Sequence, residues 1–172
     1  MLTVNNHTKY SLVAAIAALA AMGELYRLRN LLIEGLDKGL TINELNNAFS
    51  YMVRFIGQPR ALNGLNVLKQ ICLQKLPNSS ELIEQQIKQI DTLYLNAKNG
   101  QLAQQNLLAI KFGALAVDDN FTSQLHEHLA LCLDSHFAVT QINSMINILA
   151  IKADIDVAMR ANKVFAKLLA HA

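Results

Sequence analysis

The sequence predicts an all-α fold of eight or nine helices, and three observations carry that prediction. The 172 residues include only seven glycines and two prolines, and no long run alternates apolar with polar residues, as a half-buried β-strand would. Apolar residues instead recur at spacings of three and four along most of the chain, which is the period of an amphipathic helix. The most regular stripes are Leu28, Leu31, Leu32 and Leu36; Leu45, Ala48, Phe49, Met52 and Ile56; and Ile142, Met145, Ile146, Leu149 and Ala153.

The first predicted helix is the alanine-rich segment at residues 12–23, LVAAIAALAAMG. It is shorter than the roughly 20 apolar residues that a membrane-spanning helix needs. Alanine is the best helix former and adds little bulk. We therefore expect this helix in the protein core, and we expect no membrane partner. Its small side chains would also allow a close contact with a helix of another chain.

Local signals separate the helices that follow. Gly39 can take the left-handed conformation that ends a helix, and Thr41 with Glu44 forms a capping box that begins the next one. Gly57 is expected to end that helix at residue 56. Pro59 is then expected at the first position of another helix, where its missing N–H loses no hydrogen bond. These two helices are predicted to form an antiparallel hairpin.

Two more helices are predicted after residue 76. Asn78 and Glu81 give a capping signal before a helix rich in glutamine and charge, which ends at Asn99 and Gly100. Asp154 is placed to cap a last helix at residues 155–171.

The chain also resembles itself at a shift of 97 residues. The segment LDKGLTINELNNAFSYM then lies over LDSHFAVTQINSMINIL, with apolar residues on apolar residues. We predict two related modules at residues 1–76 and 101–172, joined by a connecting helix at residues 77–100 into one compact domain. The identical pairs include Leu36 and Leu133, Asp37 and Asp134, Asn46 and Asn143, Ala61 and Ala158, and Val67 and Val164.

Residues 10–68 resemble the carboxymuconolactone decarboxylase family, which also contains the alkylhydroperoxidase D proteins. YSLVAAIAALAAMGEL is similar to the family's opening alanine-rich helix, and LIEGLDKGLTINEL to its Gly-Thr-Glu segment. RFIGQPRALNGL is similar to its Gly-x-Pro-x-Ala-x-Asn turn, with Phe55 in place of a tyrosine. The resemblance implies alkylhydroperoxidase D-like helical hairpins that assemble into rings. A homotrimer of the two-module chain is therefore expected, with a dimer as the next choice.

The resemblance also bears on chemistry. The Glu-x-x-Cys-x-x-Cys-x-x-His motif of the peroxidase branch does not occur in the sequence, so dithiol peroxidase activity is not expected. The decarboxylase branch uses a histidine and a glutamate. Its histidine position falls on Leu31 in the first half and on His128 in the second, and its glutamate position falls on Asn47 and Ser144. The resemblance implies a degenerate active site that acts, if at all, by proton transfer on a small anionic or lactone-like molecule. The alternative is a non-catalytic assembly or binding module.

One polar cluster stands out from the residues alone. His128, Cys132 and His136 follow one another at intervals of four, so Cys132 can contact either histidine on one helix face. Three interpretations are open: an imidazole lowers the Cys132 pKa and creates a thiolate, the pair contributes to a metal site, or Cys132 is a small buried core residue. His128 and Cys132 are the candidate catalytic residues.

Arg54 and Arg60 are the candidate ligand-binding residues. They flank the Gly57 corner and can each form paired hydrogen bonds with a carboxylate. No cofactor is indicated.

The composition limits the partners and the setting. Charged residues make up 16% of the chain and hydrophobic residues 52%, against about 25% charged in ordinary soluble domains. So few charges leave apolar surface to cover, which favours a homo-oligomer. A net charge of +2 without a block of Lys and Arg argues against a nucleic-acid partner. Two cysteines without a Cys-x-x-Cys motif suit a reducing cytoplasm.

Overall fold

The computed structural model describes residues 6–75, 104–135 and 137–170. Every regular element within these ranges is helical, so the all-α prediction is confirmed. The connecting helix predicted at residues 77–100, its capping signals and His136 lie outside the described residues. The eight α-helices within the described ranges are α1 (Asn6–Met22), α2 (Leu25–Asp37), α3 (Ile42–Ile56), α4 (Gln58–Lys75), α5 (Gln104–Leu115), α6 (Thr122–Asp134), α7 (Val139–Ile148) and α8 (Ile155–Ala170).

The predicted caps determine where α3 begins and ends. The Thr41 hydroxyl accepts a hydrogen bond from the Glu44 N–H at 3.1 Å, and the Glu44 carboxylate accepts one from the Thr41 N–H at 2.7 Å. Gly57 ends α3 with a φ of +78°, which favours glycine because it has no Cβ. Its carbonyl also accepts from the Ala61 N–H. Since that bond starts the ladder of α4, the helix begins at Gln58, and Pro59 is its second residue rather than its first.

Helix α1 lies inside the protein. All of its residues from Leu12 to Ala21 are at most 4% exposed, as the alanine content predicts. This buried stretch therefore cannot also contribute to an interface between chains. None of the described helices is both long and apolar enough to cross a membrane.

The two halves of the chain share one core. Helix α1 packs against α5, and the two come so close that a Cβ added at Gly113 would overlap the Ala14 carbonyl oxygen. Around this pair, α1 also packs against α2 and α7, and α5 packs against α3 and α6. The outer layer is closed by α4, which packs on α2 and α3, and by α8, which packs on α6 and α7. Residues of both halves therefore belong to a single apolar cluster.

Several helix boundaries in the first half of the chain lie 97 residues before their counterparts in the second half. Helices α2 and α6 begin at residues 25 and 122 and end at residues 37 and 134. Helix α3 covers residues 42–56, and α7 with the turn of π-helix that follows it, Leu149–Ala153, covers residues 139–153. Helices α4 and α8 begin at residues 58 and 155. One capping bond recurs as well, because the Ala138 N–H donates to the Gln141 side chain at 2.6 Å.

Candidate functional site

His128 lies in the middle of α6 and is only 2% exposed. Its Nε2 is 2.8 Å from the carbonyl oxygen of Leu108 on α5. A carbonyl can only accept, so Nε2 carries the proton and donates it. Nδ1 is then the unprotonated nitrogen of the neutral ring. It is buried and has no hydrogen-bond partner among the described residues.

The surroundings of His128 keep the ring neutral. Burial lowers the pKa of His128 to about 4, because the imidazolium would lose its hydration. The hydrogen bond to the Leu108 carbonyl raises the His128 pKa, because it stabilises the N–H. The positive charge of Lys111 lowers the pKa further. At neutral pH the ring is therefore a hydrogen-bond donor at Nε2 and a free acceptor at Nδ1.

Cys132 lies one turn after His128, and its Sγ is 3.7 Å from His128 Nε2. The predicted contact is therefore present, but the thiolate interpretation is wrong. Burial raises the pKa of Cys132 to about 12, and the charge of Lys111 offsets only part of that shift. A neutral, buried imidazole cannot stabilise a thiolate as an imidazolium would. Burial also raises the pKa of the Cys72 thiol, so neither cysteine has thiolate character.

A metal site was the second interpretation of the histidine–cysteine spacing, and a small buried core residue was the third, which agrees with the 0% exposure of Cys132. Across residues 6–75, 104–135 and 137–170, no three or more His, Cys, Asp or Glu side chains are grouped as a metal site requires.

A cavity of about 410 Å³ adjoins His128. The end of α3, helix α5 and helix α6 form its walls, and the 3₁₀ turn Asp119–Phe121 adds one aromatic side chain. We call it the His128 cavity. Its lining residues are Arg54, Phe55, Lys111, Ala114, Leu115, Phe121, Gln124, Glu127, His128 and Leu131.

The cations of this cavity lie on aromatic rings rather than on carboxylates. The Lys111 ammonium is 5.9 Å from the centre of the Phe55 ring, and the Arg54 guanidinium is 5.4 Å from the centre of the Tyr51 ring. Within the described residues neither cation forms an ion pair. Lys111 is partly buried, so its charge has lost some hydration without gaining an anion. Glu127 supplies a carboxylate, but its side chain is exposed.

The structure places Arg54 and Arg60 in two adjoining cavities. Arg54 lines the His128 cavity, whereas Arg60 lines a second one of about 440 Å³ beside the end of α1, which we call the Arg60 cavity. Phe55, Ala114 and Phe121 line both.

A second arginine of the Arg60 cavity, Arg160, is already engaged. It donates to Asp119 at 2.5 Å and to the carbonyls of Ala116 and Val117 at 2.8 Å each. Arg60 has no carboxylate partner in the part of the chain that the structure describes.

A third cavity, of about 220 Å³, lies beside Leu31, and we call it the Leu31 cavity. Each of its six lining residues is 97 positions from a lining residue of the His128 cavity. The pairs are Arg27 and Gln124, Asn30 and Glu127, Leu31 and His128, Glu34 and Leu131, Ile151 and Arg54, and Lys152 and Phe55.

Two of the three charged residues that line the Leu31 cavity, Glu34 and Lys152, are paired with each other, whereas the third, Arg27, donates a hydrogen bond to the Lys152 carbonyl at 3.5 Å. Glu34 bonds Lys152 at 2.7 Å and Lys38 at 2.7 Å. Hydrogen bonds from these two lysines lower the pKa of Glu34. With Leu31 in place of a histidine, this cavity has no imidazole.

Sequence reasoning missed Lys111 and Phe121 as site residues. A signal for Lys111 was present, because the shift of 97 residues places it on Ala14 in the buried helix α1. A lysine at the position of a buried alanine in the other half was thus a difference that comparing the two halves could have revealed. No sequence signal pointed to Phe121, because the 3₁₀ turn Asp119–Phe121 is what places its side chain in the cavity wall.

The sequence matches no model of a known protein family and no curated protein. The resemblance of residues 10–68 therefore depends on the three quoted segments alone.

Proposed function

We propose that this protein is a two-module, alkylhydroperoxidase D-like member of the carboxymuconolactone decarboxylase family with a degenerate active site. Its remaining chemistry is proton transfer by His128 to or from a small anionic or lactone-like molecule. One observation carries the proposal. A neutral histidine with an unpaired nitrogen lines a cavity that also contains two cations without anionic partners among the described residues.

The His128 ring has the protonation state of a general base. Nδ1 is buried in the empty protein, so a bound molecule must first displace the side chains that cover it. Its lone pair can then accept a proton from a carbon next to a carbonyl, while the carbon's electron pair moves to the carbonyl oxygen. Lys111 and Arg54 would stabilise the resulting negative charge. Nε2 keeps its own proton on the Leu108 carbonyl throughout.

Ligand binding would also adjust the basicity of His128. The charge of Lys111 is one of the causes that lower the His128 pKa. A carboxylate bound to Lys111 offsets that charge and raises the His128 pKa, although burial, the larger cause, still holds the pKa below its ordinary value. An anionic molecule would thus strengthen the base that acts on it, whereas a neutral analogue would not.

The recurring helix boundaries and the paired His128 and Leu31 cavities support the two-module part of the proposal. Exposed apolar side chains are compatible with assembly, since Tyr26, Ile151, Ile155 and Met159 are 57–78% exposed. We propose a homotrimer, with a dimer as the second choice. Light scattering at micromolar protein should give about three times the chain mass, and a concentration-independent monomer would contradict the assembly.

Deuterium incorporation tests the chemistry and does not require the product to be identified. The protein is incubated in deuterium oxide with small carboxylate-bearing lactones and keto acids, such as levulinate, and loss of the proton next to the carbonyl is followed by NMR. At least one compound should exchange faster than in buffer. His128→Leu, which installs the residue found at position 31, should abolish the acceleration.

Cys132→Ala is the matched control, because it removes the thiol that contacts His128 Nε2 but keeps the imidazole and its hydrogen bond to the Leu108 carbonyl. It should keep the accelerated exchange. Equal exchange by wild type and His128→Leu, or no accelerated exchange across the panel, would refute the proton-transfer proposal.

One observation favours the alternative, a binding module without catalysis. His128 is 2% exposed, and its Nδ1 is buried, so a proton has no direct path to solvent in the empty protein. If carboxylates bind with Lys111-dependent affinity but no compound exchanges, the chain is a binding module that retained the fold.

A further inference from the structure

The unpaired nitrogen of His128 differs from the other unpaired polar atoms because it belongs to a cavity wall. In the part of the chain that the structure describes, the buried side-chain atoms without a hydrogen-bond partner belong to Asn46, Asn106 and His128. Of these residues, only His128 lines one of the three cavities. Nearly all buried polar atoms in native proteins are paired, so an exception beside a cavity marks a contact that a ligand can complete.

The inner wall of the His128 cavity is otherwise apolar. Ala114 and Leu115 are buried, Phe55 is partly buried, and Phe121 adds a second aromatic ring on the exposed side. A polar group placed against these side chains would lose water without gaining a hydrogen-bond partner. A flat apolar group could instead stack on the two rings or meet them edge-on. The wall therefore favours an aromatic body with few polar atoms.

The rim of the cavity does not select a ligand by its charge. Arg54 and Glu127 carry opposite charges, and both are exposed, as is Gln124. All three can remain hydrated while a ligand is bound. Lys111 is partly buried, and its ammonium lies 5.9 Å from the centre of the Phe55 ring. Among the buried residues of the cavity lining, His128 is the one polar side chain.

We propose that the His128 cavity binds a compact aromatic molecule with a single O–H or N–H donor, as in phenols and indoles, and that this group donates its hydrogen to His128 Nδ1. An unprotonated ring nitrogen can only accept. Nδ1 is buried in the empty protein, so the donor reaches it after a covering side chain has moved. The new hydrogen bond offsets that cost, because it pairs a nitrogen that otherwise has no partner among the described residues.

This inference deepens the proposed function, since it names a ligand class for the same site and rests on the unprotonated Nδ1 of that proposal. It concerns binding alone, so its test requires no turnover. The probes are two pairs of isomers: para-ethylphenol with para-methylanisole, and skatole with N-methylindole. The members of a pair contain the same atoms, but only the first carries a hydrogen that it can donate. Titrations followed by NMR at neutral pH give the dissociation constant of each.

The donor-bearing isomer of each pair should bind about tenfold more tightly, which is the effect of one hydrogen bond to a buried group. His128→Leu should bind both isomers of a pair equally, because leucine keeps the wall apolar but offers no acceptor. Cys132→Ala is the matched control and should keep the preference, since it retains the imidazole and its hydrogen bond to Leu108.

A spectroscopic measurement on the wild type keeps the test decisive if His128→Leu does not fold. In nitrogen-15-labelled protein, the His128 Nδ1 resonance should move on addition of the donor-bearing isomers and stay in place with the methylated ones. An Nδ1 resonance that does not respond to the donor-bearing isomers would overturn the inference.

The affinities can also overturn the inference, and they separate it from the proposed function. Equal affinities within both pairs, a preference that persists in His128→Leu, or no binding by any of the four probes would refute the ligand class. If the isomers are distinguished but no compound exchanges its proton, the ligand class stands and the catalytic proposal fails. If a carboxylate exchanges but the isomers are not distinguished, the ligand class fails and the catalytic proposal stands.

Discussion

The His128 and Leu31 cavities are lined by residues at equivalent positions, but they differ in which of their polar groups have partners. At the mouth of the Leu31 cavity, Glu34 and Lys152 form an ion pair at 2.7 Å. The equivalent positions at the His128 cavity hold Leu131 and Phe55, which cannot pair, and its volume is about 410 Å³ against about 220 Å³. In the Leu31 cavity Glu34 is paired with Lys152, and only Arg27 has no ion pair among the described residues. In the His128 cavity a buried histidine nitrogen has no hydrogen-bond partner, and neither the partly buried Lys111 nor the exposed Arg54 forms an ion pair among the described residues. The buried, unpaired nitrogen of His128 is therefore what distinguishes the candidate site from its counterpart.

The largest effect on stability is expected at the close contact between α1 and α5. Gly113→Ala should destabilise the protein by about 3 kcal/mol or more, because the new Cβ meets the backbone of Ala14, which cannot move aside as a side chain can. Gly35→Ala is the control. Its Cβ would come too close only to the flexible end of Leu40, at 2.8 Å, and would contact Ile16 at an ordinary 3.8 Å. The equivalent position carries Cys132, so the change should stay within about 1 kcal/mol. Urea unfolding measures both, and equal losses would contradict the close crossing of α1 and α5.

The second effect is the pH dependence of stability, which should differ between wild type and the His128→Leu variant. An unfolded histidine titrates near 6.5, whereas the pKa of folded His128 is about 4. Between these values the unfolded chain binds a proton that the native chain does not, so the native state loses stability as pH falls from about 6.5 to 4. Relative to His128→Leu, wild type should lose about 2 to 3 kcal/mol between about pH 7.5 and 4.5.

The same denaturant series on both proteins provides the measurement, and the other titrating groups cancel in the difference. Parallel pH profiles for wild type and His128→Leu would mean that the ring titrates normally and is not desolvated.

The smallest effect concerns the Leu31 cavity. Glu34→Leu and Lys152→Phe install the residues found at positions 131 and 55, singly and together. The pair is only partly exposed, with side-chain accessibilities of 28% and 32%, so a double-mutant cycle should give a coupling of about 0.5 to 1 kcal/mol that shrinks in high salt. A coupling near zero at low salt would show that the ion pair does not hold the mouth of this cavity.

The sequence predicted local features well and tertiary ones poorly. Gly57, Thr41 and Glu44 predicted the ends of α3, because caps depend on neighbours in the chain. The error at Pro59 was one residue, since the Gly57 carbonyl starts α4 early. The spacing also predicted the contact of His128 with Cys132.

Three-dimensional packing decided the rest. The spacing could not indicate that burial raises the pKa of Cys132 to about 12 and lowers that of His128 to about 4. Arg54 and Arg60 are six residues apart in the chain but line different cavities, because α3 ends between them. Lys111 belongs to the site only because α5 packs against both α3 and α6.

The protonation state of His128 is the central claim, and imidazole nitrogen NMR measures it most directly. In uniformly nitrogen-15-labelled protein, one of the five histidines should be absent from the His128→Leu spectrum, which assigns it. That ring should remain neutral with the proton on Nε2 down to about pH 5, and it should titrate with a pKa of about 4. A midpoint near 6.5, or a proton on Nδ1 at neutral pH, would contradict the account, because His128 would then be solvated or bonded differently and its free acceptor would be lost.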